Sequence, residues 1–210
     1  MELAALSLFV GAGASSAATI YTNNFLNTTG IVVWNDGGTI HDAYATVTAP
    51  VGGLSVAPGD TNNSWIYSNG YDFSILLGDD LAANTTYVLS IEVGKRIDHP
   101  SLTDGNPALR LGFGSTPGAS YLTPTVSLTP VTVNGGWVTW SLTYTTGAAP
   151  VGLGQDLRID IVNQGIGTPG LGNAQLIVDN LILTAEAIPE PSTALLGGLG
   201  MLALLRRRRG

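Results

Sequence analysis

The stretch Trp137-Val138-Thr139-Trp140-Ser141-Leu142-Thr143-Tyr144-Thr145 alternates in side-chain character from Val138 onward. Val138, Trp140, Leu142 and Tyr144 carry apolar bulk, whereas Thr139, Ser141 and Thr143 are small and polar. Successive side chains of a strand point to opposite faces, so this pattern predicts a strand buried on one side only. Thr86 to Val93 repeats it, with Tyr87, Leu89, Ile91 and Val93 set against Val88, Ser90 and Glu92. In Asp156 to Val162, Leu157, Ile159 and Ile161 face one way, and Arg158 and Asp160 face the other. Strands buried on one face need a second layer to bury them, which means two packed sheets or a barrel.

Working outward, short β-branched or aromatic runs recur between turn residues, and no stretch holds a helical period. Strands are predicted near residues 19–25, 31–34, 41–48, 65–67, 72–77, 86–93, 108–113, 131–133, 137–145, 156–162 and 175–185. Asp36-Gly37-Gly38, Pro58-Gly59-Asp60, Ser68-Asn69-Gly70, Asn134-Gly135-Gly136 and Pro169-Gly170 supply turn chemistry between them. The stretches from Gly147 to Gly154 and from Gly165 to Gly172 are predicted loops. About ten strands in one domain's length of chain suit an all-β jelly-roll β-sandwich.

The two ends of the chain differ from this middle. Leu3 to Val10 is apolar and is followed by small residues up to Ala18. Ser16 and Ala18 suit the −3 and −1 positions of signal peptidase, which predicts a signal peptide over 1–18 and a mature start at Thr19. Glu2 stands where a basic residue is normally found. At the other end, Pro189-Glu190-Pro191 precedes an uncharged apolar run from Ala194 to Leu205, closed by Arg206, Arg207, Arg208 and Arg209. The arginines stay in the cytoplasm, so the bulk of the protein lies outside it. Ser192 to Leu205 forms a helix of about 21 Å at about 1.5 Å per residue. A bilayer core is about 30 Å thick, so a processing signal fits better than a permanent anchor.

This tail resembles the PEP-CTERM sorting signal of Gram-negative bacteria, on the Pro189-Glu190-Pro191 triplet, the apolar run and the Arg206 to Arg209 cluster. The resemblance implies an exosortase substrate, held in the inner membrane through the tail, cleaved near the triplet and delivered to the cell surface or matrix. The predicted division is therefore a signal peptide (1–18), a β-sandwich (19–187) and a sorting segment (188–210) whose apolar part is a short hydrophobic helix. The processing partners are signal peptidase and exosortase, with the inner membrane as a partner in transit. A second resemblance, on Asn84 to Gly94, on Gly136-Trp137 and on Val178-Asp179-Asn180-Leu181, is to exported jelly-roll modules of the galactose-binding-like type. Those modules often bind sugars and often carry a structural calcium.

Composition narrows the function. Between Thr19 and Ile188 only Lys95, Arg96, Arg110 and Arg158 are basic, against thirteen acidic residues. Such a domain cannot neutralise phosphates, so nucleic acid is excluded as a partner, and neutral glycans suit it better than anionic ones. The chain has no cysteine, which excludes thiol catalysis and thiolate metal sites. His41 and His99 stand in no catalytic motif, and no G-x-S-x-G, H-E-x-x-H or phosphate loop is present. The sequence therefore predicts no enzyme. A glycan hydrolase or lyase would need two carboxylates close together in a cleft.

Trp65, Tyr67 and Tyr71 lie close to Asn62, Asn63 and Asn69, and stacked rings beside amides are what a glycan platform requires. Alternating aromatics also build sandwich cores, so both roles stand open. Trp137 shares its face with threonines and is the candidate for partial exposure, with packing at a sheet edge as its other role. Asp179 shares strand parity with Leu181 and Leu183, which predicts an inward carboxylate near the rim. Such a carboxylate must be hydrogen-bonded or bound to a cation such as calcium. Asp79-Asp80, and Asp98 with Asp104, offer further oxygen ligands from loops. The predicted function is a non-catalytic matrix or adhesive component that contacts extracellular polysaccharide. The alternative is a structural or protein-binding surface module with no glycan site.

Overall fold

The computed structural model describes residues 15–25, 30–34, 45–48, 64–69, 72–94, 108–128, 135–162, 175–189 and 206. The described strands are β1 (Ala18–Asn23), β2 (Ile31–Trp34), β3 (Ala45–Thr48), β4 (Ser64–Asn69), β5 (Asp72–Asp80), β6 (Thr85–Gly94), β7 (Ala108–Phe113), β8 (Val126–Leu128), β9 (Trp137–Thr145), β10 (Asp156–Val162) and β11 (Gln175–Ala187). They form two sheets. One has seven strands in the order β3-β4-β11-β6-β9-β8, with β1 also paired to β11. The other has four, in the order β2-β5-β10-β7. Every pairing is antiparallel. The predicted all-β jelly-roll sandwich is the architecture found.

The alternation quoted above sets the core. Tyr87, Leu89, Ile91 and Val93 of β6 are buried, as are Trp140, Leu142 and Tyr144 of β9. From the facing sheet come Phe73, Ile75 and Leu77, then Leu109, Leu111 and Phe113, then Leu157, Ile159 and Ile161. Each fully buried side chain of this kind contributes about 1.5–3 kcal/mol relative to exposure. One hydrogen bond crosses the interior. The Tyr144 hydroxyl of β9 accepts the Leu111 N–H of β7 at 3.1 Å. β7 ends the four-stranded sheet, so this bond satisfies a donor with no ladder partner on that side. Burial pushes the Tyr144 hydroxyl up to about 12, against the lowering effect of the Leu111 bond.

Three expectations need correction or placement. Val126–Leu128 is a strand that the sequence pattern did not suggest, a three-residue run between Pro124 and Pro130. The strand predicted at 131–133 lies outside the described residues, as do 41–44 and the Asp36-Gly37-Gly38, Pro58-Gly59-Asp60 and Pro169-Gly170 turns. Arg158 and Asp160 do face away from the inter-sheet core, but they are not in solvent: their exposures are 1% and 0%. The chain beyond β7 folds back over them, with Tyr121 bridged to Gly112.

One end of the sandwich is closed by a short hydrogen-bonded system. Leu81 N–H donates to Gln155 O (2.8 Å), Gly154 N–H to Leu81 O (3.0 Å), and Asn84 N–H to Gly147 O (2.9 Å). The Thr146 hydroxyl accepts the Thr85 N–H and donates to Ala82 O, each at 2.9 Å. Gly152, at φ 85°, presses against the Phe113 ring, where a side chain would collide with it. β11 ends at this same place, with Ala187 opposite Thr85 and Ile188 N–H donating to Asn84 O at 2.6 Å.

Candidate functional site

The backbone register of the seven-stranded sheet gathers most of the residues singled out in the sequence. Tyr67 of β4 pairs with Ile177 of β11. The next residue, Val178, pairs with Val93 of β6, and Gly94 pairs with Trp137 of β9. Positions 67, 177, 94 and 137 therefore form one row across the sheet. The adjacent row on the same face runs from Trp65, next to the Ile66–Val178 pair, through Asp179 opposite Glu92, to Thr139 opposite Glu92 on the other side. Of the four glycan candidates, Trp65, Tyr67 and Trp137 thus fall at register positions on one face, and Tyr71 lies outside the described residues.

Trp137 is half-buried. Its ring lies against Gly94, and a Cβ placed there would sit 2.9 Å from Trp137 Cζ3. Gly94 leaves room for the indole to settle on the sheet with one side towards solvent. Next to it the Thr139 hydroxyl, which is exposed, donates to Glu92 Oε1 at 2.6 Å. A half-exposed ring beside a hydroxyl and a carboxylate offers both contacts that a sugar uses: a flat apolar surface and acceptors for hydroxyl groups.

Asp179 departs from the parity argument. Asp179 pairs with Glu92 and Ile182 with Ser90, so three steps along β11 match two along β6. The extra residue is Asn180, at φ 47°, a left-handed conformation that asparagine tolerates. The bulge puts Asp179 in phase with Glu92 and Ile182, not with Leu181 and Leu183. Asp179 is nevertheless fully buried, and its Oδ1 accepts the Asn180 N–H at 2.8 Å. It stands where β11 changes neighbours from β4, paired up to Val178, to β1, paired from Leu181. Directly opposed residues on antiparallel strands have Cβ atoms about 5 Å apart, so Asp179 and Glu92 are two carboxylates in close register. Such a pair repels unless a hydrogen bond, a shared proton or a cation intervenes. Among the described residues no three His, Asp or Glu side chains cluster as a metal cage. Asp79 and Asp80 are exposed at the strand end, and Asp98 and Asp104 lie outside the described residues.

The sequence pattern missed the buried ionic group on the four-stranded sheet. Arg158 Nε donates to both oxygens of Asp160, at 3.0 and 2.9 Å. Arg158 Nη1 reaches Gly114 O at 2.6 Å and Phe113 O at 3.2 Å, and Nη2 reaches Ser120 O at 3.3 Å. Asp160 also accepts from Ser74 Oγ (2.6 Å) and Gly118 N–H (3.2 Å). Tyr121 lies over both arginines, 4.8 Å from Arg110 and 5.7 Å from Arg158. A Cβ at Gly112 would come within 2.7 Å of Arg158 Nη2 and of Ser120 O. The only local signal was a glycine inside a strand, which marks a close approach. Its donors and acceptors are turned on one another, so this group fastens a loop and offers no opening to a ligand.

Residues 13–184 match the family described as HpiC1 cyclase. Residues 187–209 match the PEP-CTERM protein-sorting motif, which marks the chain for exosortase processing and sorting to the cell surface. No curated protein matches the sequence. A Stig cyclase from Fischerella sp. TAU, solved with (3Z)-3-(1-methyl-2-pyrrolidinylidene)-3H-indole, superposes with a TM-score of 0.58 at 16% identity, covering 82% of this chain and 99% of that one. Another cyclase from Fischerella sp. TAU gives 0.57 at 17% identity, over 84% and 100%. The CBM22-1 xylan-binding domain of Xyn10C from Paenibacillus barcinonensis gives 0.51 at 13%, over 83% and 98%. At these identities the likeness is one of fold, jelly-roll-like in each case. Among the described residues no helix is long and apolar enough to cross a membrane. The predicted signal peptide, apart from residues 15–18, and the apolar run Ala194 to Leu205 lie outside them.

Proposed function

The chain belongs to the HpiC1-like family, and from that premise we propose that it is a non-catalytic member, sorted to the cell surface, whose sandwich binds extracellular polysaccharide. The binding face is the row of the seven-stranded sheet that carries Trp137, with Thr139 and Glu92 beside it. The observation that carries the proposal is the shared register of positions 65, 67 and 137 with that acceptor pair. The acidic balance of the domain directs the choice to neutral glycans. The xylan-binding domain of similar fold supports a sugar ligand by analogy of architecture alone. The boundaries at 1–18, 19–187 and 188–210 belong to the same reading, supported by β1 starting at Ala18 and β11 ending at Ala187. A structural calcium at Asp179 also belongs to it, because a buried carboxylate at the change of strand partner suits an oxygen-ligated cation, with backbone carbonyls as the other ligands.

The test is binding of the whole protein to neutral glycans and to the exopolysaccharide of its own host, with Trp137→Ala as the variant. Loss of one stacked ring lowers affinity about tenfold or more, with the thermal midpoint held. Binding that Trp137→Ala leaves untouched would exclude this face. The intact mass of protein from the host, compared with Glu190→Ala, tests the processing step. Wild type ends at the Pro189-Glu190-Pro191 triplet, and the variant keeps Arg206 to Arg209.

Catalysis is the second reading, favoured by the Asp179–Glu92 register pair and by the enzymes of similar fold. A retaining glycosidase needs two carboxyl groups about 5–5.5 Å apart, and strand neighbours in register are placed to approach one another. Turnover of a glycan that is abolished by both Glu92→Gln and Asp179→Asn, with binding retained, would establish it over the first.

A further inference from the structure

Between Thr146 and Gln155, the loop joining β9 to β10 reads Gly147-Ala148-Ala149-Pro150-Val151-Gly152-Leu153-Gly154, eight residues with no charge and no polar side chain. It is exposed along most of its length, with Val151 at 82% and Leu153 at 51%. It is held in place as well: Gly152 rests on Phe113, and the bonds from Leu81, Asn84 and Gly154 fasten both arms to the turn at 81–84. Single exposed apolar residues are ordinary on a protein surface. A fastened loop whose exposed middle carries only apolar residues is a built surface, because the fold prevents it from collapsing inward.

Both chain ends leave the sandwich at the same place. Ile188, itself 39% exposed, hydrogen-bonds to Asn84, the residue that also holds Gly147. Ala18, the first residue of β1, pairs with Ala185 beside it. Each end leads into an apolar segment, Leu3 to Val10 on one side and Ala194 to Leu205 on the other. Five residues, Pro189 to Thr193, separate Ile188 from the second segment, a reach of at most about 20 Å when extended. A tail inserted in the bilayer therefore keeps this end of the sandwich within that distance of the headgroups.

We propose that the 147–154 loop, with Ile188, is a membrane-contact surface that seats the folded domain on the bilayer holding its own tail while the exosortase acts on it. This rests on the reading of the tail as membrane-inserted before processing. Tethering makes the contact effectively intramolecular, so a small apolar area suffices. Asp79, Asp80 and Asp156 are exposed next to the loop, so the fitting surface is zwitterionic, and anionic lipid weakens the contact.

The chain has no cysteine, which makes a single introduced one a clean probe. Full-length Val151→Cys, Leu153→Cys and Thr139→Cys, each carrying an environment-sensitive fluorophore, are reconstituted in phosphatidylcholine vesicles with brominated acyl chains. Co-flotation with the vesicles reports tail insertion independently. The labels at 151 and 153 are expected to shift to the blue and lose intensity to the brominated lipid, and the label at 139, exposed on the sheet face, is expected to do neither. Labels at 151 and 153 that behave like the one at 139, on protein that floats, overturn the contact and leave the tail reading intact. Protein that does not float overturns the tail reading, and the contact with it.

Discussion

The two sheets present outer faces built by the same alternation but finished in opposite ways. On the four-stranded sheet the chain beyond β7 returns over Arg158 and Asp160, and Gly114, Gly118 and Ser120 from it, with Phe113 of β7 and Ser74 of β5, take up their hydrogen-bonding capacity. On the seven-stranded sheet Thr139 is exposed and Glu92 and Trp137 are half-buried, whereas Ile177 and Asp179 farther along the same rows are fully buried, so this face is open on the Trp137 side. Polar residues in a strand are therefore no guide by themselves to a binding face. What decides is whether the rest of the chain comes back to satisfy them.

That contrast can be broken experimentally, and the largest effect is expected on the covered side. Arg158→Met removes the guanidinium and leaves Asp160 buried without its main partner, at a cost of about 3–5 kcal/mol. Urea denaturation measures it, and a loss under about 1 kcal/mol would mean that water reaches the pair and that the two faces do not differ in kind.

The second effect lies at the seam between the sheets. The folded Tyr144 hydroxyl titrates at about 12 against an ordinary 10.0. A raised value means that the folded state holds this proton more tightly. The contribution is therefore complete below pH 10 and is lost as pH climbs towards 12, amounting to about 2–3 kcal/mol. Burial moves Tyr87 in the same direction. Thermal midpoints followed across that range should fall, and Tyr144→Phe should make the fall shallower. An equal slope in the variant would place the alkaline loss elsewhere.

The smallest effect belongs to the open face. Thr139→Val removes an exposed hydrogen bond and should change stability by no more than about 1 kcal/mol, while weakening any glycan held beside Trp137. A large destabilisation would show that the open face is as structural as the covered one.

The period-two pattern made most of the fold legible. β6, β7, β9 and β10 were placed within a residue or so because their core faces are uniform and their turns carry glycine or asparagine. β8 escaped because three residues between two prolines give too short a pattern for a period to register. The burial of Arg158 and Asp160 escaped for another reason: alternation tells which face a side chain takes, and it cannot tell which distant loop will land there. Asp179 shows a third limit. The inference of burial held, but one bulge at Asn180 reversed its phase, and a bulge is set by the neighbouring strands as much as by the residue that adopts it. The sorting tail was legible in full because its three parts follow one another in linear order.

β11 is the last strand of the sandwich to be synthesised, yet β1, β4 and β6 all pair with it. The first strand therefore waits for the last, a long-range pairing of the kind that slows folding. Only six residues separate Ala187 from Ala194, where the apolar run begins. On the proposed reading of the tail as membrane-inserted before processing, the larger sheet closes at about the moment the tail meets the lipid. Arrival and folding become a single event, and a chain truncated before β11 has no route to the sheet its earlier strands were made for.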